Sequence, residues 1–221
     1  MKKFLGIALI FCSVPLFADE KNVNVSAGAA YMNYFLLTDI DSSGGAAAHG
    51  QVKTGSVQED GNAFGFSLDM RAHYFYAMLQ IAFPQKNVND LLHGADSANL
   101  PLKTGAYVLD MQAGAGYTFF KDRPVNIFTG GGIGFYAKDT SVNLKNADYI
   151  RTDLMFGAGV NTVLSFYPLS FLGMYIGAAD TVYFVPIKTV REASAGGLKG
   201  GAAKTVIANN FVLKTGVLFR L

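Results

Sequence analysis

The sequence predicts an all-β fold, an eight-stranded antiparallel transmembrane β-barrel with short periplasmic turns and longer extracellular loops. Three observations predict it. Apolar and polar residues alternate over long stretches, the chain opens on an export-type segment, and its last residues, "FVLKTGVLFRL", form a two-faced strand. Side chains along a strand point to opposite faces in turn, so strict alternation marks one apolar and one polar face.

The opening segment comes first. Residues 1–18 read "MKKFLGIALIFCSVPLFA", with Lys2 and Lys3 as a basic head, an apolar run from Phe4 to Val14, and Pro15 ahead of Ala18. That is the layout of a secretory signal peptide. The run falls short of the roughly 20 apolar residues a membrane-spanning helix needs. The expected organisation is a signal peptide over 1–18 and a barrel over 19–221. Cleavage removes Cys12, the single cysteine, along with Lys2 and Lys3, so 18 basic residues become 16 against 16 acidic ones. A mature chain near neutrality gives no ground for a nucleic-acid partner. The 51% hydrophobic content, with 25 Gly, 18 Phe and 11 Tyr, is high for a soluble domain.

Eight strands are expected, roughly at 22–37, 62–73, 75–83, 104–119, 125–137, 150–166, 172–187 and 204–221. The second shows the pattern clearly: Phe64, Phe66, Leu68, Met70 and Ala72 on one face, and Gly65, Ser67, Asp69 and Arg71 on the other. The fourth and sixth repeat it with Leu109, Met111 and Tyr117, and with Leu154, Val160 and Leu164, on their apolar faces. Several exceed the common soluble strand length of about 5–6 residues and approach the 9–11 that cross a membrane. Connections near 74, 120–124 and 167–171 are tight, whereas those at 38–61, 84–103, 138–149 and 188–203 are long and polar. Alternation of short turns with long loops is the outer-membrane barrel layout. In lipid only a closed sheet leaves no unpaired edge, so the last strand must pair with the first.

The interior of an eight-stranded barrel is filled by its own side chains or holds one small ligand. The polar faces place Asp69, Arg71, Asp110, Gln112, Asn161, Asn210 and Lys214 inside at mid-depth and below, with Tyr136 across the ladder from Asp110. Buried charges need partners. These residues form either a neutralising plug or a narrow polar pore. Nearer the outside, Met78, Ala82, Val108, Met155, Phe184 and Val206 are expected to line an apolar cup. Strand seven is apolar on both faces, and turning Asp180 inward sets its phase. Glycines at 114, 116, 130, 132, 134, 157 and 159 leave either a cavity or room for bulk such as Arg71, Tyr76 and Phe128. Pro84 and Pro186 each remove a backbone donor, and either end their strands or break the ladder.

Chemistry has little footing in the sequence. His49, His73 and His93 have no second His or Cys at metal-ligand spacing. "TGGGIGF" lacks the following helix that a phosphate loop requires. Asp41, Ser42, Ser43 and His49 share the first long loop without triad spacing. No cofactor, metal site or enzymatic activity is expected.

The C-terminal "KTGVLFRL" resembles the assembly signal of outer-membrane barrels through Lys214, Gly216, Phe219 and Leu221, although the usual last residue is aromatic. Strand count, a first strand starting near Val23, this signature and the apolar outer lumen together resemble the OmpW/OprG family. The resemblance implies a location in the outer membrane of a diderm bacterium. It also implies that small hydrophobic molecules bind from outside, pass through the outer lumen and leave sideways into the bilayer. The implied partners are outer-membrane lipid, the barrel assembly machinery and a small hydrophobic ligand. The alternative is a filled barrel of the OmpA or OmpX type whose loops act in adhesion or host interaction.

Overall fold

A computed structural model describes residues 23–40, 55–84, 107–144, 147–194 and 203–221. They form β1 (Val23–Ile40), β2 (Gly55–Ala72), β3 (Phe75–Pro84), β4 (Tyr107–Phe119), β5 (Val125–Leu144), β6 (Ala147–Phe166), β7 (Leu172–Ser194) and β8 (Ala203–Arg220). Each strand pairs antiparallel with its neighbours in sequence, and β8 pairs with β1 to close the barrel. The eight expected strands and their order are those observed. The signal-peptide segment, His49 and His93 lie outside the described residues.

Closure is specific at the first and last strands. Val25 stands opposite Phe219 and Gly28 opposite Gly216, and the Leu221 N–H donates to the Val23 carbonyl at 2.8 Å. The two glycines let β1 and β8 approach closely, because a Cβ on Gly28 would sit 2.7 Å from the Gly216 Cα. The turns at this end are tight. Arg123 N–H donates to the Phe120 carbonyl at 2.9 Å and Tyr167 N–H to the Pro124 carbonyl at 2.7 Å. His73 and Phe120 take φ of 53° and 57°, an uncommon region for residues other than glycine, where the chain reverses.

The alternation of the sequence becomes an inside and an outside. Phe66 and Ile133 are each 70% exposed, and Ile176 60%, while Ser67, Gly134 and Tyr175 beside them point inward and are buried. Exposed aromatic residues gather near the tight turns, among them Tyr74, Tyr117, Phe119 and Phe171. A second set, including Phe64, Phe83 and Phe211, stands toward the far end. An apolar wall between two aromatic girdles is the surface of a barrel that crosses a bilayer. Beyond Phe64 the exterior of β2 turns polar, where Asn62 Oδ1 accepts from Asn33 Nδ2 at 2.9 Å.

Two expectations are corrected. The outer segments 55–61, 138–149 and 188–194 are largely strand rather than loop, with β5 and β6 running 20 residues each and β7 running 23. Beyond the bilayer both faces of a strand meet polar surroundings. The alternation that marks a strand in lipid fades there while the backbone ladder continues. The chain past Pro84 lies outside the described residues, and β7 passes through Pro186.

The second correction is the phase of β7. Asp180 points outward, with Asn209 Nδ2 donating to its Oδ1 at 2.7 Å. Phe184 also faces outward, 56% exposed, and is not a lumen residue. The inward set is Tyr175, Ala179, Thr181 and Tyr183. An isolated carboxylate on the exterior is costly in mid-bilayer, but Asp180 stands opposite the far-girdle Phe211 and has an amide partner there.

This orientation predicts the energetics of charge insertion. Ile176→Arg should lower the unfolding free energy in lipid vesicles by about 2–4 kcal/mol, and Val125→Arg, beside a tight turn, by about 0–1 kcal/mol. Urea titrations with both variants check it, and equal costs would mean that the wall has been placed at the wrong depth.

Candidate functional site

Inward side chains fill the barrel in three layers. The layer farthest from the tight turns is mainly apolar, with the charged Lys138 and Asp153 at its level: Met32, Leu36, Ala82, Val108, Met155, Tyr136 and Tyr183 belong to one buried cluster with Val212 and Ala208. The middle layer is polar and contains Asp69, Asp110, Gln112, Asn161, Asn210 and Lys214. The layer nearest the turns is aromatic, with Tyr76, Phe128, Tyr167 and Tyr175 around Val163 and Leu218.

The register fixes the partners in the middle layer. Asp69 on β2 and Lys214 on β8 form a buried ion pair, though the two strands are not neighbours and 145 positions separate the residues. Ser67 Oγ donates to Asp69 Oδ2 at 3.2 Å and lies 3.0 Å from the Tyr175 hydroxyl. Lys214 Nζ also reaches Met78 Sδ at 3.2 Å, and Gln80 Nε2 reaches the same sulfur at 3.3 Å. Met78 therefore belongs to the polar layer rather than to an apolar cup. Asp110 accepts from the Tyr183 hydroxyl and from Asn210 Nδ2, the latter at 3.2 Å. Gln112 accepts from the Tyr76 hydroxyl and donates to Thr181 Oγ1 at 3.0 Å. Tyr136 lies directly across the ladder from Asp110, as the sequence suggested.

Arg71 stands lower than its expected companions. Its guanidinium lies 5.4 Å from the centre of the Phe128 ring, and its Nη2 donates to Ser165 Oγ at 3.4 Å. The glycine wall is filled rather than empty. A Cβ on Gly130 would meet Tyr76 at 2.8 Å and Phe128 at 2.9 Å, and one on Gly134 would meet the Tyr183 ring at 3.0 Å.

Of the apolar residues named from sequence, Ala82, Val108 and Met155 sit together in the outer layer, buried and packed. The outer lumen in this structure is thus a packed cluster, with three methionines, Met32, Met78 and Met155, in or just below it. The side chain of Val206 lies outside the described residues. Sequence reasoning missed Lys138 and Asp153, both buried and inward near the outer end, with Lys138 Nζ 4.6 Å from the Tyr34 ring centre. Their parity matches Tyr136 and Met155, but they had been assigned to a loop or left out of the lumen. In the assembly-signal segment, Lys214 points in, Gly216 lies against Gly28, and Phe219 and Leu221 point out.

Among the described residues the β7–β8 seam is parted where both strands continue. The β7–β8 ladder ends at Tyr183 opposite Ala208. Past that point β7 continues along β6 to Ser194, and β8 continues along β1 to Ala203. Register shifts at Leu154/Met155 and Phe156/Gly157 leave Phe184 and Ile187 as extra residues on β7 at this place. A bulge bends the strand that carries it.

The model of a family described as a domain of unknown function (DUF2715) matches residues 17–221. No curated protein matches the sequence. The fold is similar to that of the outer membrane protein OprG from Pseudomonas aeruginosa, with a TM-score of 0.53 at 12% identity over 91% of this chain and 96% of that one. Similarity extends to Neisserial surface protein A (TM-score 0.49, 16% identity, 90% and 97% covered) and to the attachment invasion locus protein Ail of Yersinia pestis (0.41, 13%, 91% and 100%). At 12% identity the likeness to OprG shows the fold, a small closed β-barrel.

The buried pair predicts strong non-additivity. Lys214→Met alone leaves the Asp69 carboxylate uncompensated and should cost about 3–5 kcal/mol, and the double variant Asp69→Leu/Lys214→Met should regain most of that. A double-mutant cycle from urea unfolding measures the coupling. Additive costs would show that the two groups do not meet in the lumen.

Proposed function

The chain belongs to the DUF2715 family, and we propose that it is an outer-membrane barrel that takes small hydrophobic molecules from outside into its apolar outer lumen and releases them sideways into the bilayer. One observation carries this reading: the β7–β8 parting stands beside the apolar layer, above a polar layer tied by cross-lumen bonds. Straight passage would have to break the Asp69–Lys214 pair and the bonds around Asp110. Sideways passage leaves those bonds in place and moves mainly apolar packing and strands that share no ladder. Methionine suits a lining that must yield, because its unbranched side chain repacks readily.

The outer surface supports an exit there. On β2 the outward positions beyond Phe64 are polar, Asn62 and Asp60. On β7 the apolar belt continues past Asp180 through Phe184, Val185 and Ile187, which are 56%, 48% and 48% exposed. The affinity of the lumen for an apolar molecule would come from ligand surface removed from water, about 25 cal/mol per Å².

A second reading has its own support. The outer layer is packed, and strands of 20 to 23 residues carry β5, β6 and β7 well beyond the 9–11 residues that span a bilayer. Such walls offer a raised surface for binding host or environmental molecules, with the barrel as a filled support.

One experiment separates the two. Cysteines at Phe184 and Ile207, which flank the last β7–β8 pair on its outer side, should close the seam when oxidised. Transfer of a fluorescent hydrophobic probe into vesicles carrying the protein is expected to exceed that into protein-free vesicles. It should fall to the protein-free rate on oxidation and recover with reductant. Transfer no faster than in protein-free vesicles would overturn the transport reading in favour of the surface one.

A further inference from the structure

At the turn end of the barrel, opposite the seam, the lumen opens into a cleft of about 90 Å³ lined by Arg71, His73, Lys121 and Arg220, by Tyr74 and Tyr117, and by neutral polar groups. Among the described residues no carboxylate lines it. Asp69, the nearest buried acid along β2, is committed to Lys214 and Ser67. The cleft therefore gathers three permanent cations and a histidine, with no counter-charge among the described residues of its walls.

Its roof is built rather than accidental. Arg71 is 3% exposed. Its guanidinium is fixed by the Phe128 ring and by Ser165, while its buried Nε has no hydrogen-bond partner. A donor held in place, buried and unsatisfied costs free energy unless an acceptor completes it. Arg220 is similarly held, its guanidinium 3.8 Å from the centre of the Tyr167 ring, and the Tyr167 hydroxyl donates to Asn24 Oδ1 at 2.6 Å. Planar guanidinium groups match oxyanions bidentately. Lys121, exposed in the turn, adds a point charge at the mouth.

We propose that this cleft binds a phosphate oxyanion. The volume suits a tetrahedral anion, which is several waters in size. Tyr74 and Tyr117 place the opening at the lipid boundary: they are 51% and 49% exposed and stacked with centroids 6.2 Å apart. Tyrosines of this kind lie at headgroup level, where phospholipid phosphates are found. The phosphate can thus come from a headgroup of the adjacent leaflet or from solution. The inference goes beyond the transport reading and stands or falls separately, since the cleft lies below the polar layer.

The test uses the whole chain in a non-ionic detergent, following the Arg71 Nε–H resonance by NMR. Inorganic phosphate or dispersed phosphatidylglycerol is expected to shift it, and chloride at equal ionic strength is not. Lys121→Gln should weaken binding, and Lys121→Gln with Arg220→Gln should weaken it by about tenfold or more. Heat-modifiable gel migration reports whether each variant is still a folded barrel. A shift at lower concentration with phosphatidylglycerol than with phosphate assigns the headgroup, and the reverse assigns the free anion. No shift with either, or an equal shift with chloride, overturns the proposal.

Discussion

A sheet closed from eight strands in lipid must satisfy its backbone internally and fill its interior with its own side chains. The second requirement organises everything else in this molecule. Where the sequence supplies no side chain, as at Gly130 and Gly134, Tyr76, Phe128 and Tyr183 from elsewhere on the wall occupy the space. Where it supplies charge, the register brings a partner from across the lumen, as Lys214 comes to Asp69. The interior is a core turned to face its own axis, with polar groups in a band where tyrosine and amide side chains can satisfy them.

The layering links packing to function. The cross-lumen bonds of Asp69, Asp110 and Gln112 tie β2, β4, β7 and β8 together in the middle. Above them most contacts are apolar and non-directional, Lys138 and Asp153 apart, and the β7–β8 ladder stops. The barrel is thus fastened at mid-depth and less constrained at its outer end. A route for apolar molecules that opens sideways is the outcome these two facts favour. The same fastening separates the outer lumen from the basic mouth at the turn end.

Strand number, closure and the placing of the tight turns were legible in the sequence, because lipid outside and a polar lumen inside impose a period of two. Legibility ended where those surroundings ended. The outer halves of β5 and β6 leave the bilayer, so Thr140 and Asn143 carry no alternation, and Lys138 and Asp153 went unrecognised as inward. Over Leu172–Ile187 both faces of β7 are apolar, so orienting it by Asp180, the one charge in that stretch, gives the wrong face. The inward tyrosines Tyr175 and Tyr183, whose hydroxyls serve Ser67 and Asp110, were the better guide. That Asp69, Arg71, Asp110 and Lys214 share the interior followed from parity. Which of them pair did not, because Asp69 and Lys214 meet across strands that are not adjacent.

Among the described residues the β7–β8 seam is parted past Tyr183 and Ala208, above a fastened middle. Amide hydrogen exchange of the protein in lipid nanodiscs tests it most directly. The amides of β7 and β8 that face one another below Tyr183 and Ala208 should be strongly protected. Those facing the seam between Phe184 and Ile187, and between Ala203 and Ile207, should exchange orders of magnitude faster, as open segments do. Protection that continues undiminished past Tyr183 on both strands would show a sealed wall and contradict the account.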